Sequence, residues 1–107
     1  MIVSETECDK AVDYIRDNAP KVAQAKGQLV YLESYGKSLK ATLMKHSDEK
    51  SAAAQERDAY ASDQWIRHCE ELRDATVEYE MARGMVSSAS IKIEVWRSES
   101  ANNRKNF

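Results

Sequence analysis

The stretch WIRHCEELRDATVEYEMARGMVSSASIKIEVW, residues 65–96, repeats with a period of seven along its whole length. Counting in sevens from two starting points gives the series Trp65, Leu72, Tyr79, Val86 and Ile93, and the series His68, Ala75, Ala82, Ala89 and Trp96. Positions that alternate in spacings of three and four share one helix face and are typical of coiled coils. The stretch therefore predicts a long helix, whose small alanines let a second helix approach closely while its large residues fill the space between.

The partner helix is predicted in the first half of the chain, where another row of residues has the same spacing. This row is Cys8, Ala11, Ile15, Asn18, Val22, Ala25, Leu29, Leu32, Gly36, Leu39 and Leu43. The polar segment HSDEKS, residues 46–51, separates the two rows and predicts the turn of an antiparallel hairpin. A fold at this turn places Leu29 opposite His68 and Leu32 opposite Trp65, with Gly36 close enough to Trp65 to make room for its indole.

These signals predict an all-α fold, namely a long antiparallel helical hairpin with a short N-terminal helix, assembled into a helical-bundle dimer. We expect a single domain over residues 1–107, and its elements have the following boundaries. They are a helix at 4–18, a helix at 19–46, a turn at 47–51, a long helix at 52–102 and a frayed tail at 103–107. Ser4 and Glu7 have the spacing of a capping box. Proline disrupts a helix interior, so Pro20 favours a break, with one kinked helix as the alternative.

Composition excludes several classes of protein. The 107 residues carry a formal net charge of −2, with two cysteines and one proline. The acidic first residues, MIVSETECDK, do not resemble a signal peptide, and no apolar run is long enough to span a membrane. We expect a cytoplasmic protein with free thiols. Charge alternates along the chain, at +4 over residues 20–46 and −6 over residues 47–80, which favours pairing along the hairpin.

A second apolar row lies on the opposite face of the long helix. It predicts an oligomer interface, because a helix that is apolar on two faces is buried on two sides. The interface residues are Val77, Met81, Gly84, Met85, Ser88, Ile91 and Val95. We therefore expect the chain to pair with itself, as a homodimer or a larger even assembly. In the alternative, the N-terminal segment wraps round and hides this row within one chain.

The chain lacks the patterns that carry chemistry. His46 and His68 are far apart in the sequence, and no ligand pair has the spacing of a zinc site. The adjacent His68 and Cys69 point about 100° apart on a helix, so they do not form a nucleophile pair. We expect no catalytic residues, no metal and no cofactor, and hence a protein that is not an enzyme.

Two charged surfaces allow alternatives that involve nucleic acid. Lys26, Lys37 and Lys40 fall on one helix face and form a possible nucleic-acid contact, although Glu33 interrupts them. Conversely, the acidic residues of 48–80 could imitate the charge of DNA. For both surfaces, pairing across the hairpin and solvation are the simpler interpretation.

Two segments carry a resemblance to a group of known proteins. AAQERDAYAS at 53–62 and IEVWRSESANNR at 93–104, with the helix between them, resemble small helical proteins from the early regions of tailed bacteriophages and prophages. Genes of that kind tend to lie near recombination and single-strand-binding genes, and their products are mostly uncharacterised. The resemblance implies a place in phage DNA recombination or replication, inside the bacterial host, and supplies no catalytic residues.

The functional expectation combines these observations. We expect an accessory protein that acts by protein–protein contact, with a phage or host DNA-metabolism protein as a possible partner. A direct nucleic-acid binder and a structural helical spacer are the alternatives. A spacer should associate without limit, whereas an adaptor should stop at a closed assembly.

Overall fold

The computed structural model describes residues 2–105, and its regular elements are three α-helices. Helix α1 runs Glu5–Lys45, α2 runs Ala52–Ala61 and α3 runs Asp63–Lys105. The prediction of an all-α helical hairpin is confirmed. The predicted turn lies between α1 and α2, and Ser51 caps α2 by accepting a hydrogen bond from the Ala54 amide at 3.1 Å.

The chain forms two compact units. One comprises the residues up to Gln24 together with those from Glu80 onward, and the other comprises Ala25–Tyr79. In each unit a segment of α1 packs against a segment of α3, and the second unit also contains α2. We call them the terminal unit and the central unit.

The core of the central unit consists of Leu29, Leu32 and Ala75, with Leu72 and Tyr79 packed against it. Nearby, His68 lies against Gly36, where an added Cβ would be 2.6 Å from Nε2 of the imidazole. The predicted register, with Leu29 opposite His68, is therefore wrong by seven residues, which is one heptad. Gly36 makes room for the imidazole of His68 rather than for the indole of Trp65.

The terminal unit buries Cys8 and Ala11 of α1 and Ala89 of α3. The predicted capping box forms at the start of α1. The Glu7 amide donates to the Ser4 hydroxyl at 3.1 Å, and the Ser4 amide donates to the Glu7 carboxylate at 3.0 Å. These two bonds satisfy amides that have no partner within the helix.

The carboxylate of Glu99 holds the chain that precedes α1. It accepts hydrogen bonds from the backbone amides of Ile2 and Val3, at 2.9 and 3.3 Å. Val3 is only 5% exposed, so this segment packs onto the terminal unit.

The predicted inner seams are confirmed on both long helices. Every predicted seam residue of α1 and α3 is buried or partly buried, whereas Tyr31, Ile66 and other large apolar residues off the seams are exposed. Periodicity thus identifies the inward face of each helix even though the register between the helices is shifted.

The predicted helix break at Pro20 is wrong, because α1 continues through this residue. Proline removes one amide donor, and the carbonyl that loses its donor is that of Arg16, four residues earlier. Pro20 and Arg16 are both exposed, so water can solvate this carbonyl. The seam residues on either side, Asn18 and Val22, stay in phase and partly buried, and their packing favours a continuous helix.

The predicted uninterrupted helix over residues 52–102 is also wrong, because Ser62 separates α2 from α3. Ser62 has extended backbone angles, φ −74° and ψ 151°. Its hydroxyl donates to the Ala59 carbonyl at 2.7 Å and accepts from the Trp65 amide at 3.2 Å. One side chain therefore caps the end of α2 and the start of α3.

The break at Ser62 has a packing reason. Counting back in sevens from α3 places Asp58 and Ala61 on the seam, yet both are exposed, and Ala59 is 1% exposed instead. The break shifts the inward face by one residue. A continuous helix would carry the carboxylate of Asp58 into the core, and burying a charge is costly.

The end of α3 also differs from the prediction. Residues 103–105, predicted to fray, belong to the helix, which ends at Lys105. The rest of the predicted tail, residues 106–107, lies outside the described residues.

Candidate interaction surface

Helix α3 presents a row of apolar side chains on the face away from its inner seam. We call the seven residues predicted as an oligomer interface, Val77 to Val95, the outer stripe. Val77, Met81, Met85 and Ile91 are 51%, 67%, 56% and 63% exposed. Gly84 and Ser88 are exposed too, and Val95 is partly buried.

The exposure of the outer stripe decides one question that the sequence left open. The N-terminal segment does not hide the stripe as a whole. Ala11 of α1 lines a groove with Ala89 of the inner seam, and although Ile2 lies near Ile91 and Val95, Ile91 remains 63% exposed. The alternative, in which the N-terminal segment hides this row within one chain, is therefore wrong. The physical reason is that Cys8 and Ala11 belong to the row that continues into the seam of α1, and a continuous α1 keeps that row on one face. Self-association through the stripe stays a prediction.

A groove of about 280 Å³ runs beside the outer stripe in the terminal unit. It is lined by the buried residues Ala11 and Ala89 and by Tyr14 and Met85. The remaining lining residues are Glu7, Lys10, Ser88 and Lys92. Sequence reasoning missed the α1 side of this groove. The sequence signal for the α1 side was the seven-residue spacing of Glu7 and Tyr14, which directly precede the seam residues Cys8 and Ile15.

Two unpaired charges of opposite sign stand next to the outer stripe. Lys92 follows Ile91 and Glu78 follows Val77, and both charged residues are exposed. Within residues 2–105 neither one takes part in an ion pair. By contrast, Arg83 pairs with Glu80 and Arg97 pairs with Glu94, at 2.7 and 3.0 Å.

The predicted nucleic-acid contact has two of its three lysines engaged within the central unit. The Nζ atoms of Lys26 and Lys40 each lie 4.9 Å from an aromatic centroid, above Tyr79 and Tyr60 respectively. Lys37 is exposed. Such cation–π contacts compete with phosphate for the ammonium groups. Direct nucleic-acid binding stays a prediction, which these contacts disfavour.

Lys40 also forms an ion pair, with Glu56 at 3.3 Å. Hydrogen bonding to the Tyr60 side chain raises the pKa of Lys40 above its ordinary value, and Glu56 acts in the same direction. Both effects favour the charged ammonium, so Lys40 stays protonated at neutral pH and bound to α2.

His68 is the buried polar residue of the inner seam. It is 4% exposed, and within residues 2–105 its Nδ1 atom has no hydrogen-bond partner. Its ring lies between the rings of Trp65 and Tyr35, at centroid distances of 5.3 and 5.9 Å. The position agrees with the prediction of a polar seam residue.

The remaining candidate ligands and nucleophiles do not converge. Cys8 is buried, Cys69 is exposed, and both thiols are free. Among residues 2–105, no three His, Cys, Asp or Glu side chains are grouped as metal ligands. No helix in this part of the chain has the length and apolar character needed to cross a bilayer.

Comparisons with protein-family models, with curated proteins and with solved structures give no match to this chain. Among the surfaces described above, the outer stripe has the most exposed large apolar residues along one helix face.

Proposed function

We propose that this chain is a non-enzymatic interaction protein that assembles with a second copy through the outer stripe and acts by protein–protein contact. One observation carries the proposal, namely the row Val77, Met81, Met85 and Ile91, all more than half exposed on one helix. Contiguous exposed apolar residues with polar neighbours mark interaction sites in soluble proteins.

The cellular setting is a separate part of the proposal. The resemblance of residues 53–62 and 93–104 to phage early-region proteins supports a role in phage DNA recombination or replication, or in modulating a host nucleic-acid enzyme. A closed dimer suits such an adaptor, because the surfaces away from the outer stripe stay available for another protein.

Solution mass tests the self-association. We expect light scattering to give twice the 12.2 kDa mass of one chain for the wild type. Met81→Glu combined with Ile91→Glu should give a folded monomer, because the charged residues would have to be buried in the interface. The matched control is Val30→Glu with Ile66→Glu. These two apolar residues lie outside the stripe and are about half exposed, at 46% and 49%.

Each outcome has a definite meaning. A wild-type monomer at every concentration would contradict self-association, and a dimer of the Met81→Glu, Ile91→Glu variant would exclude the outer stripe. Open-ended association would favour a structural spacer over an adaptor. Capture of DNA-metabolism proteins from infected host cells would support the cellular setting, and recovery of the bait alone would count against it.

A further inference from the structure

We infer that the second copy lies antiparallel along α3, with Gly84 of each copy opposite Ser88 of the other. This inference rests on the proposed self-association and specifies its geometry.

The spacing defines a second seam. Val77, Met81, Gly84, Ser88, Ile91 and Val95 alternate in steps of four and three, which is the seven-residue pattern of a coiled coil. When two copies pair antiparallel about an axis level with Val86, every member of this seam meets another member. The layers are Val77 with Val95, Met81 with Ile91 and Gly84 with Ser88, each formed twice by the two-fold symmetry.

The sizes of these residues suit a close crossing. Gly84 and Ser88 are small and lie at the centre, while Val77, Met81, Ile91 and Val95 lie on either side. Within the chain, a Cβ at Gly84 would meet nothing within 4 Å. Small residues at the centre allow the two helix axes to approach closely, and the large residues on either side then interdigitate.

The residues beyond the seam select one register. In the inferred pairing Asp74 lies opposite Ser98 and Glu70 lies opposite Asn102, so each carboxylate faces a polar residue. A shift of one heptad in one direction would place Asp74 opposite Ile91. A shift in the other direction would place Val77 opposite Asn102. Both shifts bring polar groups against apolar ones, which is unfavourable.

The same residues disfavour a parallel pair. In a parallel arrangement Asp74 and Glu70 would each face their own counterpart in the second copy. These facing carboxylates carry the same charge and would repel each other. Antiparallel pairing separates these carboxylates and leaves the acidic part of α3 next to the less acidic end of the second copy.

Charge complementarity supports the antiparallel arrangement. Lys92 and Glu78 flank the seam on the same side, and neither is in an ion pair within residues 2–105. In the inferred dimer Lys92 of one copy lies beside Glu78 of the other, and the symmetry repeats this pair. The two unpaired charges of the single chain thus become partners.

Distances between spin labels test the orientation and the register. We would place one label at Thr76 or at Arg97, both exposed and off the seam, in a background with Cys8→Ala and Cys69→Ser. At 1.5 Å per residue, the axial separation across the dimer is about 30 Å for Thr76 and about 33 Å for Arg97. A parallel pair would give short distances at both positions. A one-heptad shift would lengthen one distance and shorten the other by about 10 Å.

A glycine substitution tests the close crossing. Gly84→Leu adds apolar surface. If the two copies met through a non-specific apolar contact, this substitution would therefore strengthen the dimer. In the inferred dimer the added side chain keeps the helices apart, and we expect the dissociation constant to rise at least tenfold while the monomer stays helical by circular dichroism. Gly27→Leu is the control, because a Cβ there also meets nothing within 4 Å. Unchanged or tighter pairing of Gly84→Leu would overturn the inference.

A charge exchange tests the flanking pair. Lys92→Glu or Glu78→Lys alone should weaken the dimer a few-fold, and the double variant should restore it. Failure of the double variant to recover would contradict the pairing.

These outcomes separate the two proposals. A monomeric wild type would overturn both, whereas a dimer that Met81→Glu with Ile91→Glu disperses, but whose labels lie close at both positions, would overturn only the antiparallel geometry.

Discussion

Gly36 and His68 form the contact that sets the register of the central unit. The imidazole is 4% exposed and occupies the space that a side chain at position 36 would need. Its Nδ1 atom has no hydrogen-bond partner in the described part of the chain, and an unsatisfied buried polar atom costs about 1–3 kcal/mol. A polar residue on a seam is a recognised means of specifying register at the expense of stability.

Gly36→Ala tests this contact. We expect a loss of about 1–3 kcal/mol in the free energy of unfolding, because the added Cβ overpacks against His68. Urea unfolding followed by circular dichroism measures it. The control is Gly27→Ala on the same helix, where a Cβ meets nothing within 4 Å and helix propensity predicts a gain of about 0.5–1 kcal/mol. Equal gains at both glycines would show that His68 does not fill the space beside Gly36.

At the scale of the element, helix α1 tolerates Pro20 because this residue lies on the solvent-exposed face of the helix. Pro20 and Arg16, whose carbonyl loses its donor, are on the exposed side of a helix whose other face is packed. The helix therefore continues at a local cost rather than ending.

Pro20→Ala should recover part of that cost. We expect a gain of about 2 kcal/mol in the free energy of unfolding. An interior proline costs about 3 kcal/mol in a helix, and its restriction of the unfolded chain offsets about 0.4–1 kcal/mol of this cost. Lys21→Ala, at the adjacent exposed position, is the control and should change little. A loss of stability in Pro20→Ala would mean that the proline makes packing contacts of its own.

The junction between α2 and α3 depends on one hydroxyl. Ser62→Ala removes both the bond to the Ala59 carbonyl and the bond from the Trp65 amide. We expect a loss of about 1 kcal/mol in the free energy of unfolding, since this is the usual effect of removing an N-cap. Ser90→Ala, at an exposed site inside α3, should be neutral or slightly stabilising. Equal effects of the two substitutions would contradict the capping role.

At the scale of the whole molecule, the ion pairs of residues 2–105 contribute little to the free energy of unfolding. Three of the ion pairs link residues three apart on one helix, and their side chains are more than half exposed. Exposed pairs of this kind contribute about 0–1 kcal/mol each. We therefore expect burial of the outer stripe in the proposed dimer to contribute more to stability than the surface charges do.

Thermal unfolding as a function of protein concentration tests this idea. A partner that binds only the folded chain stabilises it by mass action. We expect the Tm of the wild type and of the Val30→Glu, Ile66→Glu control to rise with concentration, and that of Met81→Glu with Ile91→Glu to stay constant. A constant Tm in all three proteins would show that the stripe does not contribute to stability through assembly.

The amino-acid sequence was sufficient to predict the helical class, the inward face of each long helix, the Ser4 capping box and the outer stripe. These features depend on residues within a few turns of one another, so hydrophobic period and local hydrogen bonding specify them. The sequence also contained a signal for Ser62, a capping residue followed by the acidic Asp63, but the continuous apolar pattern concealed it.

The register, the break at Ser62 and the continuity of α1 through Pro20 depend instead on packing between the helices. A heptad pattern is unchanged by a shift of seven residues, so it does not distinguish Leu29 from Gly36 as the neighbour of His68. That choice depends on whether an imidazole fits against the opposite backbone. Whether a helix breaks, as at Ser62, or continues, as at Pro20, likewise depends on a local free-energy cost and on packing against the other helix. Hydrophobic periodicity carries no information on how these two contributions compare. Packing of the helices also determines that the N-terminal segment does not hide the outer stripe as a whole, because only the assembled core shows which face of α3 remains exposed.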